Sequence, residues 1–253
     1  MPDENKTDSC TAKALGEALI KELLKSEKGR DCDAARCVEL INAGADLNNS
    51  YGQKSEVPLT IALRHKKPEL AELMLHKGVD VNVKGRRGNT PLIYAALHGY
   101  DHLVEAILEA GADIDARNDH MRTALMFAVE HGRHGTVELL VNRGADIELH
   151  DDEGFTPLMS ATYEGYLNTV RFLVEKGADV EAVNDVGHTA RDCARQSKET
   201  HSDQLQLYDE IMDFLETERL RRVEARFREA AGAGTSRPRK IIRRKLPVPS
   251  QCM

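Results

Sequence analysis

The apolar positions of this chain come in short, repeated clusters. In the stretch from Thr90 to Asp119, Leu92, Ala95 and Ala96 form one small-residue face, and Val104, Ile107 and Leu108 form a second. Spacings of i, i+3 and i+4 mark helices with one buried stripe. Thr90 supplies an N-cap hydroxyl, and Pro91 sits at the first helical position, where its missing N–H costs nothing. Gly99 and Gly111 stop the two helices, because glycine accepts the left-handed backbone of a C-cap. The polar, turn-rich stretch Ala112–Asp119 leads out. The pattern therefore predicts helix, turn, helix, loop.

The pattern recurs every 33 residues. Gly78, Gly111, Gly144 and Gly177 keep that interval, as do Thr90, Thr123, Thr156 and Thr189; Gly44 precedes Gly78 by 34. Two short helices cannot bury their stripes alone, so a fixed period of this length predicts a stack in which each unit walls the next. The ends are degenerate, as capping units should be. Residues 12–26 read as an amphipathic helix with Leu15, Leu19, Leu23 and Leu24 near one face, followed by a second helix up to Gly44. At the other end a sixth unit starts at His188. Its second helix is delayed by the insertion "SKETHSD", from Ser197 to Asp203. It starts near Leu205 and carries Ile211, Phe214 and Leu215 in the apolar slots.

The order T-P-L, A-A, G, V-x-x-L-L, G-A-D resembles the ankyrin-repeat signature over roughly residues 12–218. The resemblance implies an all-α solenoid of about six helix-turn-helix units, near 12–47, 48–84, 85–117, 118–150, 151–183 and 184–218. Residues 1–11 are expected to be disordered, 219–231 a helical extension and 232–253 a disordered basic tail. Two features depart from the family pattern. Thr60, Ile93, Met126 and Met159 stand where the family favours His, so the hydrogen bonds of that His are absent. Met121 stands where a turn glycine is preferred, which predicts an irregular finger before Thr123.

The family binds partner proteins through its finger loops and first helices. Carried over by register, the binding positions are Arg86, Arg87, Asn89, Tyr94, Leu97 and His98 in the third unit. They are Asp119, His120, Arg122, Phe127, Glu130 and His131 in the fourth, and Asp152, Glu153, Phe155, Ser160, Tyr163 and Glu164 in the fifth. Asp185, Val186 and His188 follow in the sixth. Tyr94, Phe127, Phe155 and Tyr163 are aromatic anchors of the kind enriched at interface hot spots. A resemblance to asparaginyl-hydroxylase targets falls on Asn82 alone, since Asp115, Glu148 and Glu181 occupy the later slots.

Charge adds a second theme. Residues 1–218 carry 24 Lys and Arg against 40 Asp and Glu, and residues 219–253 carry 11 against 2. The run Arg237, Arg239, Lys240, Arg243, Arg244 and Lys245 contains no acid. It suits a nuclear import receptor, an anionic surface, nucleic acid or the acidic body of the chain itself. Five scattered cysteines without a C-x-x-C predict reduced thiols, and with them a cytoplasmic or nuclear setting. No apolar run approaches the ~20 residues of a transmembrane helix. His65, His98 and His131 recur one per unit, too far apart to converge on one metal. Phosphate-loop, nucleophile-elbow and zinc-protease motifs are missing. The expectation is a monomeric, non-enzymatic adaptor with protein partners and without cofactor, metal or small-molecule substrate. The alternative is a nuclear-targeted or nucleic-acid-associated factor acting through the tail.

Overall fold

Each regular unit begins with the same capping geometry. The Thr90 hydroxyl accepts a hydrogen bond from the Ile93 N–H at 3.3 Å, Thr123 from Met126 at 3.4 Å and Thr156 from Met159 at 3.3 Å. Thr189 adds a reciprocal box: it accepts from the Asp192 N–H, while the Asp192 carboxylate accepts from the Thr189 N–H at 3.1 Å. These bonds satisfy N–H groups that a helix start leaves without partners.

The computed structural model describes residues 4–25, 32–49, 57–200 and 204–232. Its helices are α1 (Glu4–Leu23), α2 (Ala34–Asn42), α3 (Pro58–Arg64), α4 (Pro68–His76), α5 (Pro91–His98), α6 (Asp101–Glu109), α7 (Ala124–Glu130), α8 (His134–Asn142), α9 (Pro157–Tyr163), α10 (Leu167–Glu175), α11 (Ala190–Thr200) and α12 (Leu205–Gly232). Among the described residues there is no strand. Odd-numbered helices pack in one row and even-numbered helices in a second, each touching its neighbours along the row and its partner across it. A single apolar core runs between the rows from Leu19 and Leu23 to Ile211 and Leu215.

The four positions where the family favours His are filled by core packing instead. Thr60 is 3% exposed, and Ile93, Met126 and Met159 no more. Part of the bonding moves to Thr162, whose hydroxyl bridges the Met159 and Ala190 carbonyls at 2.8 and 3.0 Å, tying α9 to α11.

Side chains also bond one unit to the next at the exit of each second helix. The Asp80 N–H donates to Asn48, Asp113 to Asn82, Asp146 to Asp115 and Asp179 to Glu148, all at 2.8–3.0 Å. Asn82 is therefore a rung of this ladder, and its amide also donates to the Gly111 carbonyl at 3.0 Å.

Three expectations change. Helix α1 begins at Glu4, inside the stretch expected to be disordered, because no Gly or Pro interrupts residues 4–15 and the polar residues there propagate a helix. Helix α11 continues into the insertion as far as Thr200. The finger at Met121 is regular: Met121 has φ 58°, beside 71°, 79° and 81° at the equivalent Gly88, Gly154 and Gly187. The fold imposes the left-handed turn, and Met121 bears the steric cost. Helix α12 absorbs the expected extension. The N-terminal residues before Glu4 and the basic run 237–245, with the rest of the stretch after Gly232, lie outside the described residues. Among the described residues no helix is long and apolar enough to cross a membrane.

Two outcomes follow from this packing. Replacing Met121 with Gly relieves ~1–2 kcal/mol of left-handed strain against a smaller unfolded-state entropy cost, so unfolding should become ~0.5–1 kcal/mol more costly by urea titration. Gly154→Ala should act in the opposite direction, since an added Cβ would lie 2.7 Å from the Asp185 backbone nitrogen. Burial pushes the Cys37 thiol up to about 12 and the Cys193 thiol to about 11. Native protein treated with iodoacetamide at about pH 8 should thus be modified at exposed Cys10, with Cys37 and Cys193 labelled only after denaturation, as read by peptide mass spectrometry.

Candidate functional site

In the fourth, fifth and sixth units one side chain builds each finger. In the fourth unit the Asn118 side-chain oxygen accepts from the His120 and Arg122 N–H groups, both at 2.9 Å. Asp151 does the same for Glu153 and Phe155 at 3.0 and 2.9 Å, and Asn184 for Val186 and His188 at 3.2 and 2.9 Å. Neighbouring fingers are then stitched together. The Asp119 N–H donates to the Arg87 carbonyl at 3.0 Å, Asp152 to His120 at 3.2 Å and Asp185 to Glu153 at 3.2 Å. The fingers form one continuous, pre-organised wall.

That wall and the first helices enclose an open groove of about 750 Å³. From the third unit come Arg87, Asn89 and Leu97, and from the fourth Asn118, His120, Arg122, Phe127 and Glu130. The fifth contributes Asp151, Asp152, Glu153, Phe155, Ser160, Tyr163 and Glu164, and the sixth Gln196. A second hollow of about 490 Å³ shares Asp152, Glu153, Phe155 and Gln196 with the first and continues it to Asn184, Asp185, Val186 and His188. The result is one channel crossing four units.

Several of its side chains hold each other in place. The Arg122 guanidinium lies 4.4 Å over the Phe127 ring and bonds to the Glu130 carboxylate. Phe127 stacks on His131 with centroids 6.3 Å apart, and the His131 Nδ1 lies 3.1 Å from the Phe127 carbonyl. His120 Nδ1 meets Asp152 Oδ2 at 3.0 Å, joining two finger tips. Contacts of this kind between side chains of the free groove reduce the entropy cost of ordering them on binding.

The remaining register positions fall elsewhere. Tyr94 is only 6% exposed and belongs to the core, so it is no aromatic anchor. Phe127 and the half-buried Ser160 occupy the same slot in the next two units, where the groove opens. Asn89 is 9% exposed, and its side-chain oxygen accepts from Asn118 Nδ2 at 2.7 Å, so it braces the wall and offers little free surface. Arg86 and Asp119 are exposed but line neither hollow, and neither do His98 and His131. Gln196 was missed, although it stands 33 residues after Tyr163 in the same register as Leu97 and Glu130. Asn118 was missed because its finger-building role hid that it also faces the groove.

Among the described residues no group of three His, Cys, Asp or Glu side chains is placed to hold a metal ion. Burial lowers the affinity of His98 for a proton, helped by Lys66, Arg133 and His131, while a hydrogen bond with the Arg64 backbone opposes the shift.

The fold and the groove define a helical-repeat solenoid with a concave, finger-walled surface. The family model for ankyrin repeats (three copies) matches residues 12–118 and again 115–184. The chain belongs to the ankyrin-repeat family, whose members generally mediate protein–protein interaction and are typically non-enzymatic. No curated protein matches the chain.

The His98 shift sets a sign for acid sensitivity. Its folded pKa lies below the ordinary 6.5, so the folded state binds fewer protons than the unfolded one. The associated stability is present above about pH 6.5 and is lost as pH falls through the folded value. Melting curves between about pH 7.5 and 5 should show a smaller fall in Tm for His98→Gln than for the unsubstituted chain.

Proposed function

We propose that this chain is a non-enzymatic adaptor that holds a partner protein in the concave channel of units three to six. The observation that carries this reading is the channel itself: a continuous hollow whose floor is Leu97, Phe127, Phe155 and Tyr163 and whose walls are polar and charged. Apolar and aromatic anchors surrounded by polar groups are the arrangement of interface hot spots. Tyr163 is the most accessible of the aromatics in the channel at 38% exposure. An open, elongated channel also suits a polypeptide better than an enclosed small molecule. A cytoplasmic or nuclear site of action is proposed with it, in keeping with the free thiols of the cysteines among the described residues.

The test places a photo-crosslinking residue at Tyr163, in the channel, and separately at Glu109, exposed on α6 in the opposite row. Covalent adducts with a partner protein are expected from position 163 and not from 109. In a binding assay with the partner so captured, Tyr163→Ala should weaken affinity ~5–100-fold, the usual cost of removing a hot-spot anchor, without lowering Tm. Adducts that form only from position 109 would move the binding surface to the convex face.

A further inference from the structure

The channel is chemically asymmetric. Arg122 pairs with Glu130 through one guanidinium nitrogen, and Arg87 stands as a further cation at the third-unit end. Towards the fifth and sixth units stand Asp151, Asp152, Glu153, Glu164 and Asp185. An acidic peptide or a nucleic-acid backbone would be repelled there, and a cationic chain attracted. The floor beneath those carboxylates is aromatic, and guanidinium groups stack on aromatic faces, as Arg122 already does on Phe127. At the sixth-unit end Val186 is 72% exposed. Asn184, only 4% exposed, lines this end and has a side-chain Nδ2 with no acceptor; the equivalent Asn118 Nδ2 finds one in Asn89. A peptide carbonyl is the kind of group that this donor lacks.

Length gives a second constraint. Units stacked ~10 Å apart make a channel across four fingers ~30 Å long, which takes about nine extended residues at ~3.3 Å each. The sequence contains one stretch of that length and of the complementary charge: residues 237–245, RPRKIIRRK, with six cations, no acid and two central isoleucines for the apolar floor.

Helix α12 delivers this stretch to the correct end. The Arg222 guanidinium donates to the Ala178 carbonyl at 2.8 Å and the Val174 carbonyl at 3.3 Å, and Arg219 pairs with Glu181 at 3.2 Å. The second half of α12 is thereby fastened beside the exit of α10, at the sixth-unit end of the stack, where the channel is acidic. Residues 233–236 link Gly232 to Arg237 and can span up to ~17 Å, so the basic stretch begins close to the sixth-unit end. A segment tethered this way has an effective concentration near ~1 mM.

We propose that the acidic, aromatic-floored channel takes an arginine- and lysine-rich extended segment, and that residues 237–245 of this same chain are its resident occupant. The inference rests on the reading of the channel as the binding surface and names what that surface selects. A foreign partner must then displace the tail with a competing basic segment.

The experiment uses the full chain and a full-length variant with Gln at Arg237, Arg239, Lys240, Arg243, Arg244 and Lys245. The probe is a fluorescein-labelled peptide of residues 235–247, followed by anisotropy. The Gln variant is expected to bind the peptide, and the unsubstituted chain at least ~5-fold more weakly, because its own tail competes. Adding Asp152→Asn and Glu153→Gln to the Gln variant should weaken binding at least ~10-fold, and adding Glu109→Gln should leave it unchanged. Thermal melts confirm that each variant folds. Equal affinity for the unsubstituted chain and the Gln variant would show that the tail does not occupy the channel. Failure of the Gln variant to bind, or indifference to Asp152→Asn and Glu153→Gln, would also overturn the proposal. Crosslinking from position 163 of the Gln variant separates the two readings: partner adducts without peptide binding retain the adaptor and remove the basic-segment selectivity.

Discussion

No unit of this chain can bury its own apolar stripe, and everything else in the structure answers to that constraint. A pair of seven- to nine-residue helices such as α7 and α8 is too short to be stable in isolation. Stacking turns each exposed stripe into the wall of the next unit, so that Leu92, Leu125 and Leu158 are each about 1% exposed. The stack also needs its polar backbone groups satisfied at every junction. Hence the Asn48, Asn82, Asp115 and Glu148 rungs, which change residue type from unit to unit but always present an acceptor to the next Asp N–H. The chemistry is kept along this ladder where residue identity is not.

The same constraint frees the concave face. The core, the rungs and the finger-building Asn118, Asp151 and Asn184 fix the backbone, so several other side chains that line the channel are spared from holding the fold together. Phe155 and Tyr163 can remain partly exposed, and Asp152 and Glu153 can gather on one wall despite their mutual repulsion. Solvent and the nearby His120 ring moderate that repulsion. Charge accumulates at the fifth and sixth units, the end to which α12 is clamped by Arg222 and Arg219. The acidic body and the basic run of the sequence are therefore complementary in sign, and α12 starts the run from the acidic end.

Much of this was legible in the residues because a repeat writes its register openly. The Thr caps, the terminating glycines and the apolar i, i+3, i+4 slots place most of the helices to within a few residues of their observed positions, and most of the register positions line the two hollows. Where reading failed, the cause was physical. Tyr94 and Phe127 are equivalent in register, but one is buried by its neighbours and the other is not. Met121 breaks the local rule for a left-handed turn, and the surrounding hydrogen bonds enforce the turn regardless. Helix α1 extends to Glu4 because helix propagation needs only the absence of a breaker, a weaker signal than an amphipathic stripe.

The sequence by itself determined the architecture: the period, the caps and the small-residue faces admit one way of stacking, because each signal is local and is repeated in every unit. Only the tertiary structure decided which of the register-equivalent side chains are available. Exposure depends on how closely two neighbouring units approach, a distance that no single repeat encodes. It made Asn89 a brace, paired Arg122 with Glu130 over Phe127, and joined two hollows into one channel across four units.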